Sequence, residues 1–218
     1  MSRILFKKEG RAKYISHLDI MRTMQRIFIR AGVRIKHTEG FNPHPYMAFA
    51  LPLPVGTESD CELMDFELVG GAELEELPER LTRFAPEGIT VLAAYEEERK
   101  FKHLAFLRVQ MVLEYDGGVP EGAPEELREL YSRSEIIVEK TSKGKTRQED
   151  IAPLIKSAEF DPRGEREIVC TAVLAAQNPG LSPALMLSAI EACAPHLAPD
   201  FVHVRRLEVY DSEMKTFR

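Results

Sequence analysis

The residues best suited to chemistry lie between positions 13 and 59, where the chain reads KYISHLDIMRTMQRIFIRAG, then EGFNPHP, then ALPLPVGTES. Arg22, Arg26 and Arg30 recur at i, i+4 and i+8, so on a helix their guanidinium groups form one stripe. Guanidinium forks hold phosphate oxygens two at a time, which makes a spaced arginine row a track for a nucleic-acid backbone. As a plain solvated face the row would need counter-charges, and within this helix only Asp19 offers one.

Lys13, Arg34 and Lys36 extend the positive set on either side. His17 falls in the helix's first turn, where free backbone N–H groups favour anions and a neutral imidazole; it is a candidate acid or base, or a residue packed against the capping turn. His44 stands between Pro43 and Pro45, and two fixed φ angles stiffen that loop. Phe41, Asn42 and His44 are therefore candidates for stacking on a base or bonding its edge, with a structural corner as the alternative. A further cluster, Lys140, Lys143, Lys145 and Arg147 around Gly144, reads as a loop able to close over phosphates. His17, Asp19, His37 and His44 imitate a divalent metal set, but their spacing fits no zinc signature, so no metal is expected.

Stepping outward, the elements that must hold these residues are legible as periodicity. A strand over 3–8 precedes a helix that Ser16 and Asp19 cap, that Ile20, Met24, Ile27, Phe28 and Ala31 make amphipathic, and that Gly32 stops. Strands over 46–52 and 61–69, a helix over 73–84 interrupted by Pro78, and a strand over 88–95 follow. The second half repeats the order: strand 104–115, helix 123–133, strands 135–140 and 166–176, helix 182–194 with Ser182 capping, strand 201–210. The expected fold is α+β, two tandem ferredoxin-like halves of β-α-β-β-α-β order over 1–98 and 103–218, with the charged Tyr95–Lys100 stretch as linker.

The 218 residues carry a net charge of −6, yet residues 1–56 hold ten basic side chains against three acids. Residues 57–99 reverse this with thirteen acids against Arg80, Arg83 and Arg99. An acidic chain with local basic clusters points to a restricted anion-binding surface rather than general nucleic-acid coating. No apolar run approaches the length of a membrane span, and the N-terminus offers no signal-peptide core, so a cytoplasmic protein is expected. The absence of P-loop, dinucleotide and nucleophile-elbow motifs argues against those enzyme classes. Cys61, Cys170 and Cys193 are too widely spaced for a disulfide framework or a cysteine-ligated iron–sulfur cluster, and no cofactor of the chain's own is expected.

The segments KYISHLDIMRTMQRIFIRAG, EGFNPHP and ALPLPVGTES resemble the hallmark segments of the radical-SAM-linked protein family, a domain of unknown function found alone or joined to radical S-adenosylmethionine proteins. KGKTRQEDIAPLI at 143–155 extends the likeness more loosely. The resemblance implies a stand-alone member working beside a separate radical S-adenosylmethionine enzyme, and it transfers no catalytic residue. The expected tandem halves with a histidine opening the first helix also resemble CRISPR repeat-processing endoribonucleases, which cleave RNA without metal. The leading expectation is an RNA-binding accessory module that presents structured RNA, tRNA or rRNA, to such a radical enzyme. The alternatives are a metal-independent endoribonuclease using His17 and His44, and a protein-interaction adaptor whose contact face is the acidic 57–99 block.

Overall fold

A computed structural model describes residues 1–142 and 144–218 and divides them into two compact units, Met1–His103 and Leu104–Phe217. It is a mixed α+β structure with four α-helices among the described residues, and the ladders within each unit pair antiparallel.

In the first unit the order is β1 (Ser2–Lys8), α1 (His17–Arg30), β2 (Met47–Phe49), β3 (Glu58–Phe66), α2 (Leu77–Thr82) and β4 (Ile89–Glu96). The strands lie in the order β4-β1-β3-β2. On one face Ile4, Phe6, Met64, Phe66, Ile89 and Val91 meet Ile20, Met24, Ile27 and Phe28 of α1 and Leu77 and Leu81 of α2, all buried in one cluster. Full burial of each such side chain stabilises by roughly 1.5–3 kcal/mol, so the helix stripe and the period-2 strand faces specify each other.

The ends of α1 are both sealed. The Ser16 hydroxyl accepts from the Asp19 N–H at 3.2 Å and donates to the Asp19 carboxylate at 2.7 Å. At the other end Gly32 takes φ +65° and the Val33 N–H reaches back to the Phe28 carbonyl at 3.0 Å, a Schellman closure. Arg80 of α2 then donates through Nε to the Ala31 carbonyl at 2.7 Å.

The Arg3 side chain, on the opposite sheet face from Ile4, is fully buried and grips Asp65, its cross-strand partner, through Nε at 2.6 Å and Nη2 at 3.0 Å. Nη2 also donates to the Arg99 carbonyl at 2.8 Å, Glu97 lies 3.6 Å away, and the Phe101 ring sits 4.4 Å under the guanidinium. Burial pushes the Asp65 carboxyl up against the pull of Arg3, while the Lys100 ammonium bonded to Glu97 holds that carboxyl below the usual glutamate range. The Tyr95–Lys100 stretch expected to be a linker is therefore drawn onto the first unit. Its residues supply the end of β4 and half of the Arg3 cage.

The second unit runs β5 (Leu104–Glu114), α3 (Ala123–Tyr131), β6 (Ile137–Ser142), β7 (Lys145–Asp150), β8 (Ile155–Arg163), β9 (Glu167–Ala175), α4 (Pro183–Cys193) and β10 (Phe201–Asp211). The order here is β10-β5-β9-β8, and β6 and β7 form a separate two-stranded sheet. Two expectations are corrected. The strand expected at 135–140 does not join the main ladder; it pairs with β7, and Gly144 at φ +74° turns a hairpin where a loop was expected. The place beside β9 is taken by β8, which the sequence reading missed. IKSAEFDPR carries four charges and a proline around the single buried Phe160, a composition that a sheet edge tolerates and a central strand does not.

Replacing Arg3 by Met leaves Asp65 buried beside Glu97 without its cation. Urea denaturation should show a loss of about 3–5 kcal/mol, and the Arg3→Met/Asp65→Leu double variant should recover much of it. Burial also pushes the Cys170 thiol up to about 12, and Cys61 is buried while Cys193 is exposed. Iodoacetamide at pH 8 should therefore label the folded protein at Cys193 alone, with Cys61 and Cys170 reacting only in denaturant.

Candidate nucleic-acid interface

The arginine stripe stands on the outer face of α1, where Arg22, Arg26 and Arg30 are all exposed. Its charges are unevenly neutralised. Asp19 pairs with Arg22 at 3.3 Å, and the Ser16 hydroxyl, with smaller help from Arg22 and Arg26, holds that carboxyl below its usual range. Among the described residues no carboxylate forms an ion pair with Arg26, Arg30 or Arg34. Lys36 is matched by Glu67 at 3.0 Å, with both side chains largely exposed. Lys13 is half-buried, its ammonium 5.4 Å from the Tyr14 ring centre and its carbonyl accepting from the Gly56 N–H at 2.9 Å.

Residues 36–46 form a narrow hairpin-like arm. The Tyr46 N–H donates to the Lys36 carbonyl and the Thr38 N–H to the His44 carbonyl, both at 2.8 Å, with a bridge joining His37 and Pro45. The tip carries Phe41, wholly exposed at 112% of its reference area, beside exposed Asn42. His44 is exposed too, but its ring is occupied in the arm: Nδ1 lies 3.1 Å from the Thr38 hydroxyl and 3.3 Å from the Asn42 carbonyl. The rigid turn expected from Pro43 and Pro45 thus becomes a presented aromatic tip.

His17 packs. Its ring meets Phe49 edge-on at 5.4 Å and lines a cavity of about 10 Å³ with Lys8, Glu62 and Leu53, room for one water. The contacts of His17 and of His44 are separate sets, and no hydrogen bond joins the two rings among the described residues. Nor, among the described residues, do three or more His, Cys, Asp or Glu side chains gather there as a metal site.

In the second unit Lys145 and Arg147 are exposed on β7, and Lys143 lies outside the described residues. Glu149, two residues beyond the basic run, accepts Lys140 at 2.9 Å and Arg147 at 3.4 Å, and Lys140 above all holds its carboxyl below the usual range. Strand pairing, which sets Lys140 opposite Arg147 on adjacent strands, brings that acid into the patch.

The sequence reading missed an open groove of about 660 Å³ between the last turns of α1 and the arm. Ile29, 74% exposed, and Val69, 46% exposed, line it together with Val33, Ile35 and Pro45; Gln25, Arg34, Lys36 and His37 edge it. The available signal was Ile29 itself, an isoleucine off the buried stripe on the helix face that also carries Leu18, Arg22 and Gln25.

Fold and surface together define an α+β protein with a basic helix and an aromatic-tipped arm. The chain belongs to the family described as an uncharacterized protein conserved in bacteria (DUF2344), whose profile matches residues 2–183. Comparison with curated proteins gives no match. Among solved structures it is similar to a chain of the crystal structure of a Cbf5-Nop10-Gar1 complex, at a TM-score of 0.54 and 13% identity over 95% of this chain and 48% of that one. It is also similar to a chain in the structure of an H/ACA RNP bound to a substrate RNA containing 2'-deoxyuridine, at a TM-score of 0.47 and 11% identity over 98% and 48%. This chain therefore spans about half the length of those it matches. No helix among the described residues is long and apolar enough to cross a membrane.

Because Phe41, Arg26 and Arg30 stand in solvent without ion-pair partners, replacing each by Ala should leave the urea midpoint unshifted. Arg80→Ala, which uncaps α1, should lower stability by about 1 kcal/mol.

Proposed function

We propose that this protein is an RNA-binding accessory module. The observation that carries the reading is the set of exposed guanidinium groups at Arg26, Arg30 and Arg34, which the protein's own carboxylates leave without ion pairs among the described residues. Ion pairing at a solvated surface stabilises weakly, so an unpaired row is retained at little benefit to the fold and is available to a polyanion. Phe41 at the tip of the arm adds a ring on which a base can stack, and Lys13, Asn42, Lys145 and Arg147 widen the contact surface. The two units, each with its strands in the order last, first, third, second among the four main-ladder strands, read as two ferredoxin-like halves, the second interrupted by the β6–β7 hairpin. The enzyme served is a separate radical S-adenosylmethionine protein acting on tRNA or rRNA, a pairing that follows from the resemblance of KYISHLDIMRTMQRIFIRAG and EGFNPHP to the radical-SAM-linked family.

The test is binding of a structured RNA such as a tRNA transcript by the full chain across a salt series. The logarithm of affinity should fall linearly with the logarithm of salt concentration, and Arg26/Arg30/Arg34→Ala should flatten that slope by about 2–3, three phosphate contacts' worth. A salt-independent affinity, or none in low salt, overturns the reading.

A further inference from the structure

We infer that the groove between the end of α1 and the arm seats an unpaired nucleobase of the bound RNA. The inference rests on the RNA-binding reading and adds to it where and in what form the RNA is held.

The groove joins two chemistries that a nucleotide needs. Its walls are apolar, with the exposed Ile29 and Val69 offering a surface for a planar base above the buried Val33, and about 660 Å³ lies within the range of small-molecule sites. Two of these apolar side chains are left largely in water, Ile29 at 74% and Val69 at 46% exposure, although the same helix buries Phe28 and Ile27 almost completely. The edge is cationic. Arg34 is exposed and its guanidinium is laid over Gly70, whose φ of +98° and missing side chain permit that approach; a Cβ there would stand 3.2 Å from Nη2. Lys36, ion-paired with Glu67 at 3.0 Å, and His37 follow along the same edge, with Glu39 exposed further out on the arm.

Polar groups suited to a base edge are also present. His37 Nδ1 lies 3.2 Å from the Ile35 carbonyl, which can only accept, so Nδ1 donates in that bond and Nε2 is the ring nitrogen left to meet a base edge. Gln25 brings an amide that both donates and accepts. The arm that supplies Lys36, His37 and Pro45 to the groove ends in the exposed Phe41, a second stacking surface on the same element. An apolar wall with a positive rim favours a ligand that is itself a flat apolar face tied to an anion, and a paired duplex keeps its bases out of reach.

The experiment compares the full chain and its Ile29→Gln variant on two labelled RNAs of equal length: a hairpin with an unpaired loop and a blunt duplex. Ile29 is exposed, and Gln is helix-compatible and uncharged, so folding and net charge are preserved. The hairpin should bind more tightly than the duplex, and Ile29→Gln should weaken the hairpin by about tenfold, the scale of one lost base stack, without changing the duplex. A 2-aminopurine placed in the loop should lose fluorescence on binding wild type and regain it with the variant. If wild type binds neither RNA, both this inference and the RNA reading fall. If it binds both and Ile29→Gln changes neither, or weakens both alike, the base pocket is overturned while RNA binding stands; a groove that takes an apolar peptide gives the first of these results.

Discussion

A fully buried guanidinium sets the frame of the first unit. Desolvating Arg3 is expensive, and the expense is offset only because Asp65 meets it with both oxygens, the Arg99 carbonyl takes another hydrogen and the Phe101 ring closes beneath. Those partners come from β3 and from the chain just after β4, the two strands that flank β1. A slip of one residue in β1 would turn Arg3 toward the apolar face where Ile4 and Phe6 now pack, leaving a charge in hydrocarbon and Asp65 orphaned. The ion pair thus penalises wrong registers far more than it stabilises the right one, and everything carried on that sheet inherits its position from it.

The same topology decides which basic residues remain available. The acids of 57–99 lie on β3, around α2 and at the end of β4, and several of them meet cations brought close in space: Asp65 meets Arg3, Asp60 meets Lys7 at 3.9 Å, Glu67 meets Lys36, and Glu97, bonded to Lys100, lies 3.6 Å from Arg3. β1 therefore takes the acids of the strands on either side of it. The outward face of α1 points away from those strands, and among the described residues its arginines pair only with Asp19, which the helix carries itself. The charge blocks of the sequence, basic then acidic, do cancel in part, but only where strand pairing juxtaposes them.

Much of this was legible in the order of residues. The Ser16 cap, the stripe from Ile20 to Ala31 and the Gly32 stop lie where 3.6 periodicity and capping chemistry place them, and β4, β5, β9, α4 and β10 fall within about two residues of their expected spans. What was missed shares one physical character, since it depends on edges and partners rather than on local periodicity. β8 is a charged edge strand with one anchoring Phe160, and β7 is a hairpin strand with no apolar residue. Glu149 reaches Lys140 through hairpin register, besides its local contact with Arg147 on the same strand. The groove at Ile29 depends on how the arm returns beside α1, a tertiary arrangement that the linear pattern does not encode.

The two ends of α1 differ in what they leave open to an anion. A helix N-terminus ordinarily attracts anions through its free N–H groups. Here that role is already filled, because Ser16 accepts from the Asp19 N–H and the Asp19 carboxylate sits in the first turn, while His17 is turned against Phe49. The C-terminus, whose carbonyls would repel phosphate, is neutralised from within: the Schellman closure uses the Phe28 carbonyl, Arg80 takes those of Ala31 and Gly32, and Arg30 and Arg34 follow in exposed positions. The partial charges of the backbone are thereby met in part at both ends, and the charged side chains that the helix shows to solvent, Asp19 against Arg22, Arg26 and Arg30, sum to a positive charge.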